Sequence, residues 1–168
     1  MKILSPKPGF WDAPSGAFAA GIACFVAVAL ALVSQYVFDM QPCPWCVLQR
    51  AVFVLAGLVC LALGFVKNKA AQAVIAGTGS VLAVCGMACA VWQHFQAAAS
   101  SSCNLTLADK IISKWTHLSE IAPFVFEAHS SCADAQVNLL GVPYAFWSLA
   151  VFAALAVFLI KKTAQALR

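Results

Sequence analysis

Charged residues are what this sequence has least of. Only 10% of its 168 residues are charged, and just six of them are acidic, while 63% are hydrophobic and the mean hydropathy is +0.90. Soluble domains typically carry about 25% charged residues. The composition therefore excludes an ordinary soluble domain, and we expect the chain to reside in a membrane.

Four long stretches are almost free of charge: residues 17–38, 47–66, 70–95 and 139–160. Each is long enough for the roughly 20 helical residues that cross a bilayer core. No stretch alternates as a barrel strand would, and irregular backbone cannot face lipid. The sequence therefore predicts an all-α fold, in which residues 1–168 form one integral membrane domain. This domain is a four-helix transmembrane bundle with one long extramembrane loop at about 97–138.

The basic residues predict the orientation of the bundle. They cluster before the first span, between spans two and three and after the fourth, at Lys2, Lys7, Lys67, Lys69, Lys161, Lys162 and Arg168. By the positive-inside rule these three regions are cytoplasmic. We therefore expect both termini to be cytoplasmic and the long loop to be periplasmic. The net charge of +4 reflects this orientation and does not indicate nucleic-acid binding.

Small residues within the spans favour a packing role. Glycines allow close contact between membrane helices, and on this ground we expect five of them at helix interfaces: Gly57, Gly64, Gly77, Gly79 and Gly86. Free cysteine inside a span behaves as a small apolar residue. We give that interpretation to four of the eight cysteines, Cys24, Cys60, Cys85 and Cys89.

The long loop contains one amphipathic segment. Its apolar residues recur at helical spacing, at Leu107, Ile111, Ile112, Trp115 and Leu118, with charged residues between them. This pattern predicts a short helix lying in the headgroup region of the bilayer. Such a helix would keep the loop cysteines near the membrane surface, and docking to a partner's apolar groove is its alternative use.

The other four cysteines are expected on the outer side, at Cys43, Cys46, Cys103 and Cys132. A zinc site of four cysteines favours two short-spaced pairs, but twenty-eight residues separate Cys103 from Cys132, so we predict no metal site. Two structural disulfides remain possible, because the outer compartment is oxidising. A Cys-x-x-Cys pair at a helix start is also a geometry of thiol–disulfide exchange. The cysteine pattern alone leaves both interpretations open.

Arg50 is the ionisable residue that most strongly suggests a function. In a helix it stands one turn after Cys46 on the same face, where its permanent charge favours a thiolate. Its alternative role is an anchor in the headgroup region. Gln35 and His94, near the outer ends of spans one and three, are candidate cofactor ligands, with an interhelical hydrogen bond and an interfacial position as their alternatives. Trp147 either marks an interface or lines a cofactor pocket.

Taken together, these residues resemble the DsbB family of disulfide-generating quinone reductases. The resemblance rests on Gln35, the run Pro42-Cys43-x-x-Cys46 and Arg50, followed by the later Cys103 and Cys132, the Leu140-Gly141-x-Pro143 run and four spans with both ends inside. It covers about residues 17–160. The vitamin K epoxide reductase family differs, because its loop cysteines precede the Cys-x-x-Cys pair. The residues Pro44-Trp45 and the spacing around His94 differ from those of the best-known member of the family.

The resemblance implies a relay of two disulfides in the bacterial inner membrane. A periplasmic, DsbA-like thioredoxin-fold thiol oxidase in its reduced form would attack the Cys103–Cys132 bond at Cys103. Cys132 would then attack the Cys43–Cys46 bond at Cys43, and Cys46 would leave as the thiolate that meets a quinone. Ubiquinone or menaquinone is the implied cofactor, with Cys46, Arg50, Gln35 and His94 as its expected contacts. The alternatives are a vitamin K epoxide reductase-like enzyme and a non-enzymatic membrane scaffold with structural disulfides.

Overall fold

Four long helices dominate the computed structural model, which describes residues 13–97, 107–135 and 137–168. They are α1 (Pro14–Phe38), α2 (Pro44–Phe65), α3 (Lys69–Trp92), which continues as a π-helical turn (Gln93–Ala97), and α7 (Tyr144–Ala166). All four are long and apolar enough to cross a membrane. The prediction of four helices that are long and apolar enough to span a membrane is therefore confirmed for these residues. The side of the membrane on which each end lies remains a prediction.

The short elements lie between α3 and α7. They comprise α4 (Leu107–Asp109) with a π-helical continuation (Lys110–Trp115), α5 (Leu118–Ile121), α6 (Pro123–Phe126), β1 (Asn138–Leu139) and β2 (Val142–Pro143). The predicted amphipathic helix is therefore present over residues 107–115. It ends before Leu118 because His117 has a left-handed backbone, with a φ of 52°. Ala108 and Ile112 are its buried residues, whereas Leu107 and Trp115 are exposed.

The long helices begin where local chemistry allows it. Cys43 is the N-cap of α2, and its sulfur accepts a hydrogen bond from the Cys46 amide at 3.4 Å. Pro44 follows as the first helical residue, where a missing N–H costs nothing. Asn68 caps α3 by accepting from the Ala71 amide at 3.1 Å. The Cys-x-x-Cys pair therefore forms part of the N-terminal turn of α2.

The last span begins at Tyr144, later than the predicted residue 139. Residues 138–143 form an antiparallel hairpin instead, with Asn138 opposite Pro143. Both turn residues have positive φ, 56° at Leu140 and 80° at Gly141, as the tight turn of a two-residue hairpin requires. Hydropathy alone cannot distinguish such a hairpin from the start of a helix.

In the helix bundle, each long helix packs mainly against the long helix that precedes or follows it in the sequence. Helix α1 packs on α2, α2 on α3 and α3 on α7, whereas α1 and α7 make few contacts. Its centre contains the parallel rings of Phe53 and Phe152, whose centroids lie 3.9 Å apart. Gly86 of α3 lies against the Phe152 ring, where a Cβ atom would come within 2.5 Å of Phe152 Cζ. Helices α1 and α7 thus leave a gap between them.

The glycines and cysteines within the spans differ in how closely neighbouring side chains surround them. Gly57, Gly64, Gly79 and Gly86 have no room for a Cβ atom without displacing a neighbouring helix's side chain, as predicted. The prediction for Gly77 is wrong, because a Cβ atom there would meet nothing within 4 Å. Cys24 and Cys60 are buried in the core, Cys89 is partly buried and Cys85 is exposed on the outside of the bundle.

Candidate active site

Three of the four predicted active cysteines come together at the start of α2. The sulfurs of Cys43 and Cys46 lie 3.0 Å apart, and Cys132 lies in the same buried cluster, close enough to Cys43 for the two thiols to influence each other. All three are thiols in this structure, with no bond between Cys43 and Cys46. Cys43 therefore interacts with both of the other cysteines. Cys103 lies outside the described residues.

Backbone hydrogen bonds hold the Cys132 segment against the loop before α2. The amides of His129 and Ser130 donate to the Pro42 carbonyl at 3.0 and 3.3 Å, and the Ser130 hydroxyl donates to the Gln41 carbonyl at 2.9 Å. Ala108, Ile112 and Phe126 close the cluster with apolar contacts, and within it Cys43 and Cys132 are buried. The loop thus brings a distant cysteine to the helix end and screens the sulfurs from water.

The thiols of Cys43 and Cys132 differ in the direction in which their pKa values are shifted. The proton of Cys43 is held between two sulfur acceptors in a buried site, and this raises the pKa of Cys43 well above its usual range. Cys132 has a lowered pKa, because the Cys43 thiol donates to its sulfur and the Trp45 backbone adds a further hydrogen bond. Thiolate is the nucleophile in disulfide exchange. Cys132 is therefore the better nucleophile of the two.

Arg50 is buried, with 5% of its surface exposed, and it binds three oxygen atoms. One guanidinium nitrogen donates to Gln35 Oε1 at 2.7 Å and to the Val125 carbonyl at 3.0 Å, and the other donates to the Ala31 carbonyl at 3.3 Å. Among the described residues, no carboxylate forms an ion pair with it. Burying an unpaired charge is costly, so an anion beside Arg50 is favoured. Cys46, one turn earlier in α2, is the ionisable group placed to carry that charge.

The two other predicted cofactor ligands, Gln35 and His94, lie in different surroundings. Gln35 is buried and makes the interhelical hydrogen bond to Arg50, which was the alternative prediction for this residue. The His94 ring packs near Phe95 and Phe146, with centroid distances of 4.9 and 4.7 Å. It borders a small cavity of about 90 Å³ that Cys132 also lines.

A larger cavity of about 230 Å³ lies beside Cys46, between α1 and α7. Polar side chains line its inner part, whereas its mouth is lined by apolar residues such as Leu30, which is 62% exposed, and Trp147, which is 43% exposed. Arg50 also lines the cavity, but Gln35 and His94 do not. Since both bordering helices are long and apolar enough to span a membrane, we expect the mouth to open sideways towards lipid.

Sequence reasoning missed three polar residues beside Cys46: Gln49, Gln93 and Ser148. Gln93 Nε2 donates to Cys46 Sγ at 3.1 Å, and Gln49 links Gln93 to Ser148 through two further hydrogen bonds. Gln49 and Gln93 are 5% and 8% exposed. A polar residue within an apolar span is a functional candidate, and that signal was present at residues 49 and 93.

Comparison with known proteins identifies the family. The family model for Disulfide bond formation protein DsbB matches residues 14–161. A Disulfide bond formation protein B from Hahella chejuensis is 34% identical over 138 residues, covering 77% of this chain and 82% of the relative. A second, from Herminiimonas arsenicoxydans, is 27% identical over 144 residues and covers 85% and 90%. A third, from Stutzerimonas stutzeri, is 28% identical over 162 residues and covers 94% of both.

No solved structure matches the chain. The family match nevertheless spans all four long helices, and it includes the Cys-x-x-Cys pair and Cys132. The resemblance stated from the sequence is therefore confirmed. The chain belongs to the family of disulfide bond formation protein DsbB, which makes it a disulfide-forming oxidoreductase of the membrane.

Proposed function

We propose that this protein generates disulfides de novo by reducing a quinone, and that it reoxidises a DsbA-like thiol oxidase in the periplasm. The observation that carries the proposal is that Cys132, Cys43 and Cys46 lie together at the start of α2, and that Cys46 lines a cavity between α1 and α7. Such an arrangement would connect the loop outside the four spans to a lipid-soluble electron acceptor. A scaffold with structural disulfides would need neither the lipid-facing cavity nor the buried arginine beside it.

The central step is an exchange between the loop and the helix end. The Cys132 thiolate attacks Cys43 Sγ, a Cys132–Cys43 bond forms, the Cys43–Cys46 bond breaks, and Cys46 leaves with the electron pair. The arrangement suits this step, because Cys132 and Cys46 both lie beside Cys43, and the Trp45 backbone hydrogen bond to Cys132, which does not need a proton on Cys43, favours its thiolate. Two electrons thus pass from Cys132 to Cys46, and the Cys43–Cys46 disulfide is the only oxidant that the step needs.

Two features stabilise Cys46 as the leaving group. Its position in the first turn of α2 places it at the positive end of the helix dipole. The Arg50 guanidinium, one turn further on, adds a full positive charge that acts on the same sulfur. Since disulfide exchange is faster when the leaving thiolate is more stable, both features favour release of Cys46 over release of Cys43.

The cavity beside Cys46 fits a quinone ring. A cavity of roughly 150 Å³ is enough for a benzene ring, and this one measures about 230 Å³. Trp147 and Phe53 offer apolar ring surfaces, and Arg50 offers N–H donors for a carbonyl oxygen. A bound quinone supplies a two-electron acceptor next to Cys46. The residues would bind ubiquinone or menaquinone through the open mouth, with the isoprenoid tail in lipid.

The partner would act on the loop cysteines. In the proposed cycle its reduced dithiol attacks the Cys103–Cys132 bond at Cys103 and so frees Cys132. The loop residues around Cys132 hold this cysteine in place through the Pro42 carbonyl. We propose that this end of the bundle faces the periplasm of a bacterium and that both termini are cytoplasmic, in accord with the distribution of basic residues.

Quinone reduction by purified protein tests the proposal. The protein in detergent micelles is mixed with ubiquinone and a reduced thioredoxin-fold oxidase, and the quinone absorbance is followed. We expect turnover in the unsubstituted protein and none in Cys46→Ser, which lacks the leaving thiolate. Cys85→Ser is the matched control, because Cys85 lies on the exposed outer face of α3. Equal loss of quinone with Cys46→Ser would contradict the order of steps, and no loss with the unsubstituted protein would favour the scaffold.

A further inference from the structure

A chain of neutral hydrogen bonds runs from α7 to the sulfur of Cys46. Ser148 Oγ lies 2.5 Å from Gln49 Oε1, Gln49 Nε2 lies 2.5 Å from Gln93 Oε1, and Gln93 Nε2 lies 3.1 Å from Cys46 Sγ. Each link therefore has a donor facing an acceptor. The chain crosses three helices, since Gln49 belongs to α2, Gln93 starts the π-helical turn after α3, and Ser148 belongs to α7.

The direction of these hydrogen bonds matters for the chemistry of Cys46. With Ser148 donating to Gln49 and Gln49 donating to Gln93, the oxygen of each amide is occupied. The remaining N–H of Gln93 then has to face the sulfur. A donor aimed at a sulfur favours its thiolate form. The π-helical turn that begins at Gln93 is a local irregularity of a kind frequent at functional sites.

We infer that Gln93 is a positioning residue that holds the Cys46 sulfur as a thiolate when the Cys43–Cys46 bond opens, and that Gln49 and Ser148 fix the orientation of its amide. The inference rests on the proposed function, because it assigns these residues to the leaving-group step. No proton is transferred along the chain in that step. The sulfur leaves with the electron pair, and the Gln93 N–H stabilises the resulting charge.

Gln93 supplies something that Arg50 does not. The hydrogen bonds of Arg50 go to Gln35 Oε1 and to two backbone carbonyls, so its effect on Cys46 is through charge. Gln93 instead gives a directed hydrogen bond to the sulfur. Because the amide is neutral, it adds no second charge to the apolar site. The sulfur is thus stabilised by charge and by a directed donor, each from a different residue.

Ser148 determines which way the chain points. Its single hydroxyl proton has two acceptors within reach, Gln49 Oε1 at 2.5 Å and the Ala145 carbonyl at 2.9 Å. If the hydroxyl donates only to the Ala145 carbonyl, both amides can reverse, and the Gln93 oxygen then accepts a hydrogen bond from a Cys46 thiol. The reversed chain suits the protonated sulfur. Removing the hydroxyl should therefore weaken the preference for the thiolate without deleting the Gln93 donor.

Alkylation of Cys46 tests the inference without a quinone or a partner protein. In a reduced Cys43→Ser background, the pH dependence of iodoacetamide labelling at Cys46 is measured by peptide mass spectrometry. We expect Gln93→Met to move the midpoint upward by about one pH unit, since a hydrogen bond to a charged group is lost. Ser148→Ala should move it in the same direction by less. The matched control is Gln72→Met, which removes a glutamine of α3 that donates to Val66 O, away from the site.

A midpoint for Gln93→Met equal to that of Gln72→Met would overturn the inference. If Gln93→Met loses its helical circular dichroism, Ser148→Ala decides, and an unchanged midpoint in that variant would be equally fatal. The two proposals fail separately. A protein that never reduces quinone but shows the shifted midpoint disproves the function alone, whereas normal quinone reduction with unshifted midpoints disproves the role of Gln93.

Discussion

Two substitutions of Arg50 separate the effect of its charge on Cys46 from the effect of its guanidinium hydrogen bonds. Cys46 and Arg50 are four residues apart in α2, which places their Cβ atoms roughly 6 Å apart. At that distance, and at an effective dielectric constant of about 20, a unit charge contributes about 3 kcal/mol to a thiolate. That energy corresponds to roughly two pH units. Because Cys46 is only partly buried, we expect Arg50→Met to raise the midpoint of Cys46 alkylation by roughly one to two pH units.

Arg50→Lys is the matched variant, because it keeps the positive charge but loses the planar guanidinium. We expect its alkylation midpoint to stay near that of the unsubstituted protein. Its quinone reduction should nevertheless fall with an increased KM for quinone. A single ammonium cannot reproduce the bonds that now go to Gln35, Ala31 and Val125.

The measurement is iodoacetamide labelling of Cys46 in the reduced Cys43→Ser background, with helical circular dichroism as the check on folding. If Arg50→Met and the unsubstituted protein had the same midpoint, the charge of Arg50 would not reach the sulfur. The electrostatic part of the proposed mechanism would then be refuted. If Arg50→Lys shifted as far as Arg50→Met, hydrogen-bond geometry and not charge would be the controlling factor.

Two further predictions concern packing and pH. Gly86→Ala should lower the free energy of unfolding by about 1–3 kcal/mol, because its Cβ atom would overlap the Phe152 ring. Gly77→Ala is the control and should be neutral or slightly stabilising, because its Cβ atom would meet nothing within 4 Å. Thermal unfolding in micelles measures both variants, and equal melting temperatures for the two would contradict the packing of Gly86 on Phe152. In the reduced protein, Cys132 should be alkylated before Cys43 as the pH is raised, because the pKa of Cys132 is lowered and that of Cys43 is raised. The reverse order would show that Cys43 does not share its proton with the other two sulfurs.

Local sequence patterns predicted the parts of this protein that depend on local physics. A long apolar stretch without charge is stable only in lipid or in a protein core, so the four spans could be predicted from composition. The Cys43 and Cys46 pair and the position of Arg50 one turn later followed from the helical repeat. The exact ends of the spans were less predictable. Helix α7 begins at Tyr144 and not at the predicted residue 139, because the hairpin around Leu140 and Gly141 is as apolar as the start of a helix.

The glycines show where pattern-based prediction fails. Gly77 and Gly79 are two residues apart and have the same composition around them, but they lie on different faces of α3. Gly79 meets Leu159 and Val59, whereas Gly77 meets no neighbour. Which face of a uniformly apolar helix packs against another helix is decided by the whole bundle. Sequence alone cannot assign it, because each face of such a helix is equally hydrophobic.

The sequence by itself determined that this chain forms membrane-spanning helices and that a cysteine pair starts the second of them, because both depend on residues close together in the chain. Only the tertiary structure decided that Cys132 lies in one buried cluster with Cys43, that Arg50 binds Gln35, and that a hydrogen-bond chain from α7 ends at Cys46. These contacts join residues from separate helices and from the loop. Hydrogen bonds are short and directional, so they form only where packing has already fixed both partners.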